Sequence, residues 1–270
     1  MILEAGMNYF EIIKLKKIPV ICNIPHSSIN VPSKFKKNFV ISGQELINEA
    51  KKLSDLYAEF LFSGLLEEYG GIISKISRIV VDAERFKNDK KEAMSRAGMG
   101  AIYEKNENGE IIRKINKTDR QVLISKIYQP YHLALKELTS DCLLKFGECL
   151  ILDCHTFSSK PRPYELDKNR NRSDICLGTD KFHTPENLKR AFFKNFKKGG
   201  FSVKYNSPFT GTIVPETYYR KDKKVYSIMI EINRKLYMEE EKFLRNKNFN
   251  AVSNKICRII KDARDSFYGK

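Results

Sequence analysis

The sequence predicts an α/β fold built on a mixed, mostly parallel central sheet with helices on both faces. Short apolar runs of strand length alternate along the chain with longer segments of helical periodicity. The runs are almost continuously apolar, as expected of strands covered on both sides. Several of them end in ionisable residues, which is where open α/β sheets place their ligands. No repeat or linker divides the 270 residues, so one domain spanning 1–270 is expected.

The first strand is read over 18–24, in "IPVICNI", and is closed by Pro25. Ser42 then caps a helix, with Glu45 as its capping-box partner; apolar residues recur at helical spacing through Leu66, and Gly70-Gly71 stops it. A second strand is read in "KISRIVVDAERF", with its polar end at Asp82. Residues 87–118, with the glycines of "AGMGAIYEKNENGE", read as an excursion or hairpin, and 119–147 as a long helix with a kink at Pro130. A strand follows at 149–153, then a polar loop through Arg172 and a strand in "DICLGT". A helix is read over 185–198, strands in "FSVKY" and "VYSIMIEI" with the turn-rich "NSPFTGTIVPE" between them, and a last helix from Glu239 on.

The formal net charge of +16, from 49 Lys+Arg against 33 Asp+Glu, draws anions to the surface, either nucleic acid or a small carboxylate. Lysine clusters such as "KFKK", "KNFKK" and "RKDKK" are spread along the chain, and aromatics are not interleaved with them as stacking platforms. This describes a solvated basic surface, and a nucleic-acid partner is not expected. The longest apolar runs fall far short of the roughly 20 residues that span a bilayer, so no membrane segment is expected. "MILEAGMNYFEIIKLKK" lacks the basic start and apolar core of a secretory signal, which makes the cytoplasm the expected compartment. The six cysteines form no CxxC pair and read as small buried residues.

The chemistry sits at the strand ends. His26 follows the first strand, Asp82 to Arg85 the second, Asp153 and His155 the third, and Glu231 with Arg234 the last. A lone histidine past a buried strand is commonly a hydrogen-bonded structural residue. Two of the four histidines in such places, with acids beside them, instead favour a metal site. A catalytic zinc takes three protein ligands and leaves one position for water. Asp55, in "KKLSDLYAEF", is the favoured acidic ligand, against a solvated helix residue. Asp153 is either a competing ligand or the partner that orients an imidazole. Glu231 lies in an apolar strand, where a carboxylate is costly without a partner or a task. It is a general base for activating water, or else a salt-bridge partner of Arg234 or Arg85. Arg85 and Arg96 are either clamps for a substrate carboxylate or surface arginines. A serine hydrolase using Ser27 or Ser28 lacks the G-x-S-x-G elbow. His132 and His183 receive no role, and Cys154 points away from both its neighbours, into packing.

The segments "IPHSS", "SDLYAEFLF", "VDAERF", "MSRAGMGAIY", "YQPYH", "LILDCHTF", "SDICLGTDKFHTP", "YNSPFTGTIVP" and "SIMIEINRKLYMEE" resemble, in order, the motifs of the N-formylglutamate amidohydrolase family over about residues 18–240. The resemblance implies a fold like the zinc-dependent exopeptidases and carboxypeptidases (phosphorylase/hydrolase-like). It also implies cleavage of an N-acyl amide, with N-formyl-L-glutamate giving formate and glutamate, and a place in histidine catabolism. Carried onto this chain, it makes His26, Asp55 and His155 ligands of Zn2+ or another divalent metal, Glu231 the base, and Asp153 the support behind His155. "VDAERF" is similar to the D-x-N-R-x-F segment of aspartoacylase-type deacylases, whose arginine grips substrate carboxylate; Arg85 and Phe86 match, while Glu84 replaces the asparagine. Arg96, Asn206 and Thr210 fall in family motifs and join Arg85 as expected contacts of a small N-acyl amino acid. A nucleic-acid-binding protein, or an inactive relative of the fold, is the alternative.

Overall fold

The computed structural model describes residues 9–165 and 167–269. Residues 1–8, which carry part of the stretch read as lacking a secretory signal, lie outside the described residues. In chain order the strands are β1 (Phe10–Ile13), β2 (Val20–Ile24), β3 (Gly71–Ser74), β4 (Cys149–Phe157), β5 (Ile175–Gly178), β6 (Val203–Tyr205), β7 (Val225–Asn233), β8 (Met238–Glu239) and β9 (Leu244–Arg245). The helices are α1 (Ser33–Lys36), α2 (Gly43–Leu53), α3 (Ala58–Leu61), α4 (Ser63–Tyr69), α5 (Lys117–Leu123), α6 (Gln129–Phe146), α7 (Glu186–Lys198) and α8 (Phe249–Tyr268). Seven strands form one sheet in the order β1-β3-β2-β4-β7-β5-β6. The run β3-β2-β4-β7 is parallel, β1 and β5 join antiparallel, and β6 runs parallel to β5.

β4 is buried along its whole length and paired on both sides, which explains its nearly unbroken apolar sequence. Alternation along it separates two cores. Leu150, Leu152 and Cys154 pack with residues of α3, α4, α7 and α8, whereas Cys149 and Ile151 pack under α6. Each such leucine, fully buried, contributes about 1.5–3 kcal/mol relative to exposure. The face that carries Cys149 and Ile151 carries Asp153 and His155 further along. The parallel register sets His155 beside Glu231 and Asp153 beside Asn23. Cys154 packs as expected on the opposite face. No helix among the described residues is long and apolar enough to cross a membrane.

Several expected elements are corrected. The second strand does not lie in 75–86: β3 ends at Ser74, and Ile76, Ile79, Val80 and Val81 are apolar because they fill a separate core beneath α2. Gly71 starts that strand, where a Cβ would collide with the Cys22 backbone, so the glycine pair is both helix stop and strand start. The helix read through Leu66 breaks after Leu53 and resumes as α3 and α4. Around Pro130 the turn widens to a π-helical stretch, Ile124–Tyr128, and the proline takes the first turn of α6, where no N–H is needed. The third strand extends to Phe157, and the last helix starts at Phe249 because 238–245 form the small hairpin β8-β9. β1 has no counterpart in the reading; its half-exposed FEII lacks the apolar run.

Candidate metal centre and substrate cleft

His26 stands two residues past β2, and the break between α2 and α3 is fastened directly to it. The Asp55 N–H donates to the His26 carbonyl at 2.8 Å. Ser54 turns extended (ψ 153°), and its hydroxyl donates to the carbonyls of Ala50 and Ser28, which ends the helix. Tyr57 then takes a left-handed conformation (φ 67°). Asp55 is therefore the hinge of a break and buried, where the sequence placed it on a helix.

Its carboxylate meets both imidazoles. Asp55 Oδ2 lies 3.0 Å from His155 Nδ1 and 3.8 Å from His26 Nδ1, and the two rings are 5.1 Å apart. Each imidazole presents its other nitrogen to a buried carboxylate: His26 Nε2 to Asp82 Oδ1 at 2.9 Å, and His155 Nε2 to Asp153 Oδ1 at 2.9 Å. Two Nδ1 atoms and one carboxylate oxygen lie within 4.8 Å of one another, with outer nitrogens tied to carboxylates, a donor set that suits a divalent cation such as zinc. His26 Nδ1 is buried without a hydrogen-bond partner, and so is Glu231 Oε2 beside it in the same pocket. A buried polar atom left unpartnered is costly, and a cation at this point gives the orphaned imidazole nitrogen its partner.

The charges divide unequally. Burial, reinforced by the Arg78 guanidinium, lowers His26 to about 4 despite Asp82. Burial works the same way on His155, but Asp153 and Asp55 on its two nitrogens carry it well above the ordinary histidine value. Burial opposes ionisation of Asp55, yet His155, His26 and Arg234 hold it below the usual carboxylate range. Asp82 is likewise held well below, against its burial, by Arg78 and His26. Glu231 goes the other way: burial, with Asp55 adding to it, raises it to about 8 against the pull of His155. Glu84 also reaches about 8, through burial and the neighbouring Asp153.

The supports behind the imidazoles are dense. Asp82 accepts from Arg78 Nε and Nη2 at 3.0 and 2.7 Å, from the Tyr103 hydroxyl at 2.8 Å and from the Glu84 N–H at 3.0 Å. Asp153 accepts from Asn23 Nδ2 at 2.9 Å and from the Ile213 N–H at 3.0 Å, and Tyr131 donates to Asn23 Oδ1 at 2.6 Å. Asn23 Nδ2 also reaches Glu84 Oε1 at 2.8 Å. Arg234 pairs with Asp55 Oδ1 at 3.2 Å; among the described residues Glu231 has no salt bridge to it or to Arg85. Asn23 was open to detection as an amide inside an apolar run, whereas Arg78 and Tyr103 carried no signal of their own.

The centre opens on a cleft of ≈ 1150 Å³ lined by His26, Asp55, His155 and Glu231. Arg85 and Thr210 also line it. Arg96 and Asn206, expected at the substrate, are not among the residues that line it. Arg96 is exposed on a 3-10 turn, Ala93–Ala97, whose Gly98 (φ 75°) serves the turn itself. The Asn206 carboxamide is spent on its own loop, accepting from the Thr179 N–H and the Thr210 hydroxyl and donating to Thr179 Oγ1. His132 hydrogen-bonds the Ala83 carbonyl, and His183 bonds the Val225 carbonyl and the Arg220 N–H, so both hold loops in place. The Ser27 hydroxyl has no hydrogen-bond partner, and no imidazole activates it.

The family model described as N-formylglutamate amidohydrolase matches residues 18–238. An N-formylglutamate deformylase of Pseudomonas putida is 22% identical over 232 residues, 83% of each chain. Among solved structures, an N-formylglutamate amidohydrolase from Ralstonia eutropha superposes with a TM-score of 0.83 at 22% identity, covering 97% of this chain and 98% of its own. A gene product from Agrobacterium tumefaciens gives 0.71 at 18% identity, with 98% of each chain covered. At these identities the structural likenesses establish the fold.

Proposed function

The chain belongs to the N-formylglutamate amidohydrolase family, and from that premise we propose that it hydrolyses the amide of N-formyl amino acids, N-formyl-L-glutamate foremost, at a divalent-cation centre held by His26, Asp55 and His155. The observation that carries the reading is the pair of orphaned buried atoms, His26 Nδ1 and Glu231 Oε2, facing one cleft beside Asp55 and His155. A cation bound there supplies Lewis acidity for the amide carbonyl and for water.

The residues of the chain do the rest. Glu231, raised to about 8 by burial, ionises beside a bound cation and is then a proton acceptor stronger than an ordinary carboxylate. It takes a proton from the water that adds to the formyl carbon and delivers it to the amine nitrogen as the C–N bond breaks, leaving formate and the free amino acid. Asp82 and Asp153 fix the ring orientations of His26 and His155. Arg85, whose buried Nε has no hydrogen-bond partner although it lies 3.8 Å from Asp82 Oδ2, offers its guanidinium fork to a substrate carboxylate. Thr210, exposed at the cleft wall with its hydroxyl proton given to Asn206, offers its oxygen as an acceptor to the substrate backbone.

Glu231→Gln is expected to retain metal and the fold while kcat falls by about 10²–10⁴. A metal-replete variant with full turnover removes Glu231 as the base. His26→Ala and His155→Ala are expected to lose metal by elemental analysis; stoichiometric zinc in both puts the centre elsewhere.

A further inference from the structure

Resting on that reading, we propose that the outer part of the cleft is a subsite for an acidic chain, so that the site takes N-formylated peptides whose following residues carry carboxylates. The cleft's ≈ 1150 Å³ exceeds the about 300–1,000 Å³ that encloses a drug-sized ligand. N-formylglutamate is far smaller and leaves the outer space to something else.

One wall shows what fits there. It runs outward from Arg85 along the loop that carries Lys87 and Lys91, and is completed by Lys136 of α6, one turn beyond His132. Other cations that line the cleft are already paired: Lys52 with Glu49 at 2.7 Å and Arg162 with Glu107 at 3.4 Å. Lys87, Lys91 and Lys136 have no carboxylate within 4.0 Å among the described residues. The acid nearest in kind, Glu92, is spent on the N–H groups of Phe86 and Met94, which leaves exposed Glu216 as the free carboxylate of the cleft mouth. Phe86, 59% exposed, and Leu133, 51% exposed, line the same cleft and present apolar surface beside the lysines that follow them in sequence. Ammonium groups spaced by apolar patches match a chain of carboxylates carried on methylene stems.

The test compares N-formyl-Glu, N-formyl-Glu-Glu-Glu and N-formyl-Glu-Gln-Gln, the isostere whose two following side chains are neutral. The acidic tripeptide is expected to exceed N-formyl-Glu in kcat/KM by about 2- to 30-fold at low salt, the sum of the exposed contacts made by the two carboxylates it adds. The neutral one should gain little. In the triple variant Lys87→Gln, Lys91→Gln, Lys136→Gln the acidic-to-neutral ratio falls towards one, and high salt does the same to the parent. Equal gain from the neutral peptide, or a ratio untouched by the triple variant, overturns the subsite. Calorimetric binding of unformylated Glu-Glu-Glu reads the same wall without turnover. If no formyl substrate is hydrolysed yet this peptide binds the parent and not the triple variant, the deformylase reading fails and the subsite stands; if it binds both alike, or neither, the subsite fails.

Discussion

Replacing Asp82 with asparagine separates orientation of His26 from neutralisation of Arg78. Asp82 is fully buried and receives five donors: His26 Nε2, two nitrogens of Arg78, the Tyr103 hydroxyl and the Glu84 N–H. Asparagine keeps one oxygen and the shape, but it loses the charge and turns an N–H₂ group towards existing donors. Outright loss of one member of a buried pair costs about 3–5 kcal/mol, so about 2–3 kcal/mol of stability is expected to go, read as a lower urea midpoint of the metal-free protein. The imidazole behind which the carboxylate stood also becomes less basic and less firmly aimed. Loss of such a support weakens metal binding by about 10- to 100-fold, or about 1.4–2.7 kcal/mol, measurable by chelator competition with Zn2+. The two readouts are independent. A variant destabilised as expected, whose zinc affinity stays within about twofold of the parent, shows that Asp82 serves Arg78 alone and refutes the orienting role.

Zinc binding near pH 7 is expected to release between one and two protons, because His155, held well above the ordinary value, and Glu231, raised to about 8 beside the centre, both give theirs up, whereas His26, at about 4, is already neutral. Apparent affinity therefore falls as pH falls; calorimetry in buffers of different ionisation enthalpy counts the proton, and a count near zero contradicts the charged His155. Arg85→Gln is expected to raise KM for N-formylglutamate by about 10- to 100-fold with a smaller change in kcat, since a charge-assisted carboxylate bond is made in ground and transition states alike. An unchanged KM removes it as the clamp. Leu152→Ala, at a fully buried site in β4, is expected to cost about 2–5 kcal/mol in unfolding free energy. A loss below about 1 kcal/mol would show that the α3–α8 face collapses around the gap.

What the sequence made legible follows from which interactions are local. β4 and β7 stood out because burial on both faces forces an apolar run, and the polar residues at their ends were conspicuous against it. His155 and Glu231 stood out in this way, and His26 in the same way past the apolar β2. Asp153 was also conspicuous, but what it pairs with needed three dimensions: alternation puts it on the His155 face, and its oxygen meets His155 Nε2, while Asp55 meets Nδ1. Arg96 and Asn206 lie outside the cleft lining, and glycine- and turn-rich segments look alike in sequence whether they cradle a ligand or only close on themselves. The strand read in "KISRIVVDAERF" misled for a related reason. An apolar run reports burial without saying against what, and this one packs beneath α2 as turns.

The break at Asp55 shows why local rules fail where they do. Helical periodicity runs on through 42–66, and nothing in the pattern favours stopping at Leu53. Holding Tyr57 left-handed costs on the order of 1 kcal/mol or more for a residue with a Cβ. That cost is offset by contacts that reach across the whole chain: the Tyr57 hydroxyl donates to the Phe243 carbonyl at 2.8 Å, Tyr237 donates to the Leu56 carbonyl at 3.0 Å, and Arg234 pairs with Asp55 itself. A continuous helix would satisfy the backbone more simply. The break instead turns the Asp55 carboxylate between two imidazoles, with its N–H tied to the His26 carbonyl. Residues 234–243 therefore act on the centre from a distance. They hold open a helix break that the local sequence disfavours, and the carboxylate set between the two histidines depends on it.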